Sequence, residues 1–332
     1  MIQNTTNNTI RIAICGYGNL GRGVESEVSR FSDLELVAIF TRRPTGSVKT
    51  VSGVPTIHVD EAKGWIGKVD VLILCGGSKD DLPTQTPHFA SMFNCIDSFD
   101  THAQIPKHLA TVDAAAKMGN KLSVISVGWD PGVFSLMRLY MDAVLPDGKT
   151  YSFWGPGVSQ GHSDAIRRVK GVVGGVQYTQ PVDSALAKVR KGITSNLTAR
   201  QKHTRVCFVA IEEGASRRSI EKQIKEMPDY FADYDTTVNF VTLEELQKKH
   251  SKLPHGGNVI HIGKTGTSHA QKMEFSLKLD SNPEFTSSVL LAYARAAYRL
   301  NKLGETGAKT VFDIAPKWIV EGDISVVVKE TL

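Results

Sequence analysis

Cysteine is scarce in this chain of 332 residues, with only Cys15, Cys75, Cys95 and Cys207. Their spacing matches no metal-ligand pattern, and three of them sit in or at the end of apolar, strand-like runs. Buried reduced thiols are therefore expected, and neither a metal site nor a disulfide framework. Net charge is also low: the formal +5 is spread along the chain. No basic block is interleaved with aromatics, so a nucleic-acid partner is not expected. No apolar run approaches the length that crosses a bilayer, and no membrane partner is expected either. The leader, Met1 to Thr9, is polar and uncharged, unlike a signal peptide. Together these absences leave a cytoplasmic soluble protein, with enough length for two domains and ordinary proportions of hydrophobic (41%) and charged (22%) residues.

The N-terminal stretch carries the strongest pattern. Ile10-Arg11-Ile12-Ala13-Ile14-Cys15 is apolar at nearly every position, the texture of a parallel strand buried on both faces. It runs into Gly16-Tyr17-Gly18-Asn19-Leu20-Gly21, and Val24 and Val28, with Glu25 and Glu27 between them, predict a helix beyond. Strand, G-x-G-x-x-G turn and helix in that order form a dinucleotide-binding fingerprint. Gly16 makes the tight turn, Gly18 lets backbone N–H groups approach a pyrophosphate, and Gly21 lets the helix sit close to the strand. The helix start adds partial positive charge. The second strand, Leu34 to Phe40, ends in Thr41-Arg42-Arg43 with no acid at its tip. An acid there would suit the ribose hydroxyl of NAD, whereas a hydroxyl and two guanidiniums suit a 2′-phosphate, so NADP is the expected cofactor.

Further strands follow at Val69 to Cys75, Phe93 to Asp97 and Leu122 to Val127, with a helix from about Pro106 to Met118. The third strand ends at Gly76-Gly77-Ser78, which places Cys75, Gly76, Gly77 and Ser78 beside the cofactor. This alternation predicts an α/β, Rossmann-type doubly wound parallel sheet over residues 1–129. Beyond it the alternation is lost. Strands are expected at Val172 to Thr179, Arg205 to Ile211, Thr236 to Val241, Asn258 to Ile262 and Lys272 to Leu279, which suggests an inserted α+β domain over 130–279. Glu284 to Leu303 carries Val289, Tyr293, Ala296, Ala297 and Leu300 on one helical face and is expected to return to the first domain, with 280–332.

Asp100 and Asp130 fall just past strand ends, where open α/β sheets bind ligands. Each could instead cap a helix, Asp100 near Ala103 and Asp130 before the apolar run from Val133. In the second domain, Thr179, Arg205, His255 and Asn282 are candidates for holding a carboxylate. His255 lies in Pro254-His255-Gly256-Gly257, which reads as a loop. No P-loop, nucleophile elbow or zinc-ligand spacing is present.

Several of these segments, read together, resemble the meso-diaminopimelate dehydrogenase family. They are the glycine turn, Gly128-Trp129-Asp130-Pro131-Gly132, the run from Phe153 through Trp154 and Gly161 to Asp164, and Met227-Pro228-Asp229-Tyr230-Phe231, with Pro254-His255-Gly256-Gly257 and Leu279-Asp280-Ser281-Asn282-Pro283. The likeness runs from Arg11 to about Pro316. It implies an NADP-dependent homodimer that interconverts meso-2,6-diaminopimelate with L-2-amino-6-oxopimelate, ammonia and NADPH, and a second domain that both binds substrate and dimerises. It implies that Asp100, Asp130 and Trp154 surround the reacting D-centre, with Asp100 and Asp130 as catalytic residues. Gln160 and Gly161 become further substrate contacts, and Thr179, Arg205, His255 and Asn282 clamp the distal L-centre. Arg42 and Arg43 match the family's 2′-phosphate contacts. Two alternatives remain open at this point, another two-domain NADP-dependent reductase and a non-catalytic NADP-binding sensor.

Overall fold

The computed structural model describes residues 9–332, and the polar leader up to residue 8 lies outside them. The chain divides into two compact units, one running to Leu136 and resuming over Pro283–Leu332, the other spanning Met137–Asn282. The first boundary thus falls inside the helix α4 (Val133–Val144) rather than ahead of it.

In the first unit, β1 (Ile10–Cys15), β2 (Leu34–Thr41), β3 (Thr56–His58), β4 (Val71–Leu74), β5 (Asn94–Asp97), β6 (Leu122–Val124) and β14 (Gly307–Lys309) form one sheet. Its order is β14-β6-β5-β4-β1-β2-β3, and every pairing is parallel. The order reverses between β1 and β4, so the ligand crevice of a doubly wound sheet opens at the C-terminal ends of these strands. Side-chain alternation explains the unbroken apolar run in β1. Ile12 and Ile14 enter one core with Val24 of α1 (Asn19–Glu27) and Leu290, Leu291, Ala294 and Ala297 of α10 (Asn282–Lys302). Ala13 and Cys15 enter the opposite core with Leu72, Leu74, Phe89 of α2 (Leu82–Ala90) and Val112 of α3 (Ile105–Met118). A polar residue at any of these four strand positions would be desolvated without a partner.

The second unit has two sheets of its own, as its irregular alternation suggests. One has the order β11-β10-β9-β8, from β8 (Gly157–Val158), β9 (Val172–Pro181), β10 (His203–Ile211) and β11 (Asp235–Phe240). The other is β13-β12-β7, from β7 (Lys149–Trp154), β12 (His255–Thr265) and β13 (His269–Leu279). Only β10–β11 is parallel. One expectation is corrected here. His255-Gly256-Gly257 is the head of a strand and not a loop, because β12 is squeezed on both edges: a Cβ at Gly256 would lie 2.2 Å from Leu277 O, and one at Gly257 2.2 Å from Phe153 O. Gln160 and Gly161 open the helix α5 (Gln160–Arg167).

Arg295 fastens α10 to the first unit. Its guanidinium, 1% exposed, donates from Nε and Nη2 to both Asp33 oxygens at 2.5 Å and from Nη1 to Ile319 O at 2.7 Å. Breaking a buried ion pair from one side leaves a charge without its partner, which costs about 3–5 kcal/mol. Asp33 is partly exposed, so the low end applies. Arg295→Met is expected to lower unfolding free energy by about 3 kcal/mol in a urea titration. A loss below about 1 kcal/mol, the worth of a surface pair, would contradict this.

Candidate active site

The glycine turn builds the first half of the site. A Cβ at Gly21 would lie 2.2 Å from Gly16 O, so only glycine lets α1 start against the end of β1. Gly16 has φ +97°, and its Cβ position meets the backbone at Cys75. Gly18 differs: nothing lies within 4 Å of its Cβ position. That open space lies in front of the N-terminus of α1, whose N-cap, Gly18, has no side chain to cap the first N–H groups. Uncapped N–H groups beneath an open cradle are the donors a pyrophosphate needs.

A cavity of about 380 Å³ opens at this point, lined by Gly16, Tyr17, Gly18, Thr41, Arg42, Arg43, Cys75, Gly76 and Gly77. Asn19, Leu20, Gly21 and Ser78, also expected here, do not line it. Gly21 supports the turn from behind, and Ser78 turns its Oγ to the N–H of Asp100 at 3.0 Å. The cavity adds Cys15, Arg22, Phe40, Val59, Asp81 and Gln85. Of these, buried Gln85 Oε1 has no hydrogen-bond partner among the described residues. Burial pushes the Cys15 thiol up to about 12, which leaves it protonated and inert at neutral pH.

Glu25 is an acid on the buried side of α1, only 6% exposed. It accepts hydrogen bonds from Val51 N at 2.9 Å, Ser52 N at 2.8 Å and Ser52 Oγ at 2.6 Å, and from Tyr17 Oη. Burial works against its charge, but these donors outweigh it and hold the carboxyl below its usual range. Glu25 thereby ties the loop after β2 to the glycine turn. Arg43 adds a second tie through Nη2 to Tyr17 O at 2.7 Å.

Asp100 is exposed after β5, and it does not cap the following helical turn, whose N-cap is Thr101. Asp130 is half-buried between Trp129 and Pro131. Between these strand ends, buried Asp97 organises the backbone: it accepts from Phe99 N at 3.1 Å, Ser126 N at 2.8 Å and Thr86 Oγ1 at 2.8 Å, and pairs with His108 Nε2 at 2.7 Å.

In the second unit, Thr179 and Arg205 are directly paired across β9 and β10 and so share a face. Both are buried, at 3% and 6% exposure. Arg205 Nη1 donates to Thr179 Oγ1, and Gln177 Nε2 donates to the same oxygen at 3.3 Å. With two donors arriving, the Thr179 hydroxyl must give its own proton to something else. The Arg205 guanidinium lies 3.9 Å from the centroid of the Tyr234 ring, and its Nε has no hydrogen-bond partner among the described residues. A buried guanidinium with an unanswered N–H beside a hydroxyl is chemically suited to receive a carboxylate.

Neighbouring segments close around this pair because glycines allow it. A Cβ at Gly155 would lie 2.1 Å from Thr179 O, and one at Gly157 2.5 Å from His255 Cα. The segment's glycines therefore serve strand crossing. His255 Nδ1 lies 2.8 Å from Gly256 N and 3.1 Å from Gly256 O, which leaves Nε2 as the ring nitrogen not engaged with this backbone. Trp154 donates its backbone N–H to His203 Nε2 at 2.8 Å and stacks on that ring at 5.1 Å. Asn282 starts α10 and donates its N–H to Leu253 O at 2.9 Å. Gln160 and Gly161 are exposed at the start of α5. Sequence reasoning missed Gln177, Tyr234 and His203: the pairing of β9 with β10 brings Gln177 to Arg205, Tyr234 stands just ahead of β11 on the other edge of β10, and His203 lies two residues along β10 itself.

A dinucleotide cradle on a doubly wound sheet, joined in one chain to a second unit with a buried arginine that has a donor to spare, is the arrangement of a two-domain dehydrogenase. The family model described as the diaminopimelic acid dehydrogenase C-terminal domain matches residues 128–281. A meso-diaminopimelate D-dehydrogenase of Acetivibrio thermocellus is 59% identical over 93% of this chain and 94% of its own length. Among solved structures, the Corynebacterium glutamicum DAP dehydrogenase in complex with DAP aligns with a TM-score of 0.92 at 42% identity, over 98% of this chain and 99% of that one. An engineered D-amino acid dehydrogenase bound to NADP+ aligns with a TM-score of 0.89 at 41% identity, over 98% of this chain and 100% of that one. The chain belongs to the meso-diaminopimelate D-dehydrogenase family.

Two outcomes follow from the geometry. Gly18→Ala is expected to leave the unfolding midpoint unchanged, because its Cβ meets nothing, while weakening NADP binding at least tenfold; unchanged NADP affinity would remove the cradle. Burial, with Arg205 nearby, lowers His162 to about 4, and burial with Lys202 and Arg205 lowers His203 to about 3. Both rings are thus neutral in the fold. Each contributes stability above its unfolded pKa of about 6.5 that is lost as pH falls toward the folded value. The melting temperature is expected to drop between pH 6.5 and pH 4, and to drop less in His203→Gln, which keeps an acceptor for Trp154 N. An identical pH profile in the variant would contradict the assignment.

Proposed function

We propose that this chain catalyses NADP-dependent oxidative deamination of the D-centre of meso-2,6-diaminopimelate to L-2-amino-6-oxopimelate and ammonia, and the reverse reductive amination, in lysine and diaminopimelate metabolism. The observation that carries this reading is the buried donor set at Arg205 and Thr179, in a chain closely related throughout to dehydrogenases of that name. A sensor that only binds NADP has no need of a buried carboxylate receptor. The enzyme is further read as a cytoplasmic homodimer; among the described residues no helix is long and apolar enough to cross a membrane. Leu139, Tyr140 and Val144, exposed apolar residues of α4, support a contact between copies in the second unit.

The substrate is zwitterionic at both ends, so it requires acceptors for ammonium and donors for carboxylate. Asp100 and Asp130 are the acceptors at the reacting D-centre, with Trp154 as an apolar wall. Ser78 Oγ, bound to the Asp100 N–H, holds the loop that carries the first of these carboxylates. Arg205, Thr179 and His255 are the donors at the distal L-centre, and Gln160, Gly161 and Asn282 complete its surroundings. When bound, NADP supplies the hydride acceptor. The protein's own share is to fix which end of the substrate reacts. A clamp that accepts only an L-centre leaves only the D-centre free to lose its Cα–H. The amine must become neutral as the imine forms; water then adds and ammonia leaves.

The direct test is NADPH formation, followed by absorbance, with the meso, LL and DD isomers of diaminopimelate. Turnover is expected with the meso isomer alone, and equal turnover of the LL isomer would overturn the reading. The cofactor assignment has its own test. Arg42→Ala/Arg43→Ala is expected to raise KM for NADP, since each charge-assisted bond to the 2′-phosphate contributes about 1.5–3 kcal/mol. An unchanged KM would contradict it.

A further inference from the structure

Arg42, assigned above to a 2′-phosphate, already has a partner in this structure. Its Nη2 lies 2.8 Å from Asp81 Oδ1. The other carboxylate oxygen, Oδ2, accepts a hydrogen bond from Gly77 N at 2.9 Å. Sheet order shows where this pair runs. β1 lies between β2 and β4. Arg42 follows the last residue of β2, and Asp81 lies in the turn between β4 and α2. The ion pair therefore crosses the C-terminal end of β1, where Gly16 leaves the sheet. Cys15, the last residue of β1, feels both charges with opposite sign. Both side chains line the same cavity as Gly16 and Gly18.

That crossing is the place a dinucleotide pyrophosphate takes in a doubly wound fold, against the glycine turn. A carboxylate there competes with phosphate twice: it repels the phosphate charge, and it occupies two donors, the Arg42 guanidinium and the Gly77 N–H, that suit phosphate oxygens. Sequence reading found no acid at the tip of β2. The structure supplies one from the far side of β1.

We propose that Asp81 is a positioning residue that straps Arg42 across the cofactor channel, and that NADP binds by taking the guanidinium from this carboxylate. The strap holds Arg42, whose side chain is 65% exposed, over the glycine turn. It also weakens NADP binding by the strength of the pair that must open. The proposal rests on the reading that Arg42 meets the 2′-phosphate.

The test is a double-mutant cycle on the full-length protein, with NADP dissociation constants measured by calorimetry at low ionic strength. Asp81→Asn removes the charge and keeps an acceptor for Gly77 N–H; Asp81→Ser is a second neutral variant with an oxygen in case the first folds poorly. Either is expected to bind NADP about two- to fivefold more tightly, the fold-change that corresponds to an exposed ion pair. In the Arg42→Ala background the gain should largely disappear. Weaker or unchanged NADP binding in the Asp81 variants would overturn the strap and make Asp81 a support for Arg42. A gain of the same size without Arg42 would also overturn it, leaving only general repulsion. Arg42→Ala alone judges the underlying reading: if it leaves the affinity ratio of NADP to NAD unchanged, Arg42 does not meet the 2′-phosphate, whatever the Asp81 variants do.

Discussion

The close approach of Gly21 to Gly16 is the constraint on which the rest of the first unit depends. With only 2.2 Å between a Cβ at position 21 and Gly16 O, any side chain would push α1 off the end of β1. The same contact sets where Gly18 points, where the N-terminus of α1 points, and how far Tyr17 must reach to Glu25. A buried acid then anchors the loop after β2 to this turn. The cavity is therefore shaped by backbone contacts and one buried carboxylate, and its surface guanidiniums add charge to a form already set. The two kinds of contribution differ in character. Backbone crowding is all-or-none, whereas exposed charges on flexible stems are each worth little until a ligand draws them in.

The second unit solves a different problem, that of keeping a guanidinium charged while buried. Burial pulls the Arg205 pKa down, and the Tyr234 ring and Thr179 hydroxyl offset only part of that cost. A folded protein that keeps an N–H of a buried arginine unanswered carries a standing penalty. The proposed function gives that penalty a use: a carboxylate bound there would satisfy the unanswered donor.

Much of this was legible in the sequence where the signal is local. The apolar run of β1, the three glycines and the basic tip of β2 each reflect contacts within a few dozen residues, and the structure shows the parallel sheet they imply. Signals that depend on distant pairing were not legible. β14 is three residues, Gly307–Lys309, with no periodicity of its own, and exists because Leu122–Val124 offers an edge. Pro254-His255-Gly256-Gly257 has the composition of a turn, and only pairing with β7 and β13 makes His255-Gly256-Gly257 the head of a strand. Glu25 and Asp81 look like ordinary surface acids in sequence. The first is buried by a loop that folds back on it, and the second is brought to Arg42 by the order of three strands. Arg205 and Thr179 were named as candidates from residue type and a family resemblance, but their pairing, and Gln177 as their buried neighbour, follow only from strand register.

The central claim is that Arg205 holds the remote carboxylate of the substrate and so positions the reacting end. The most direct measurement crosses Arg205→Ala with a substrate that lacks that carboxylate, comparing kcat/KM for meso-diaminopimelate and for a simple D-amino acid in both proteins. The account predicts a large loss for diaminopimelate, in both KM and kcat, and little further loss for the truncated substrate. Equal losses for the two substrates would show that Arg205 supports the fold and that the carboxylate is held elsewhere.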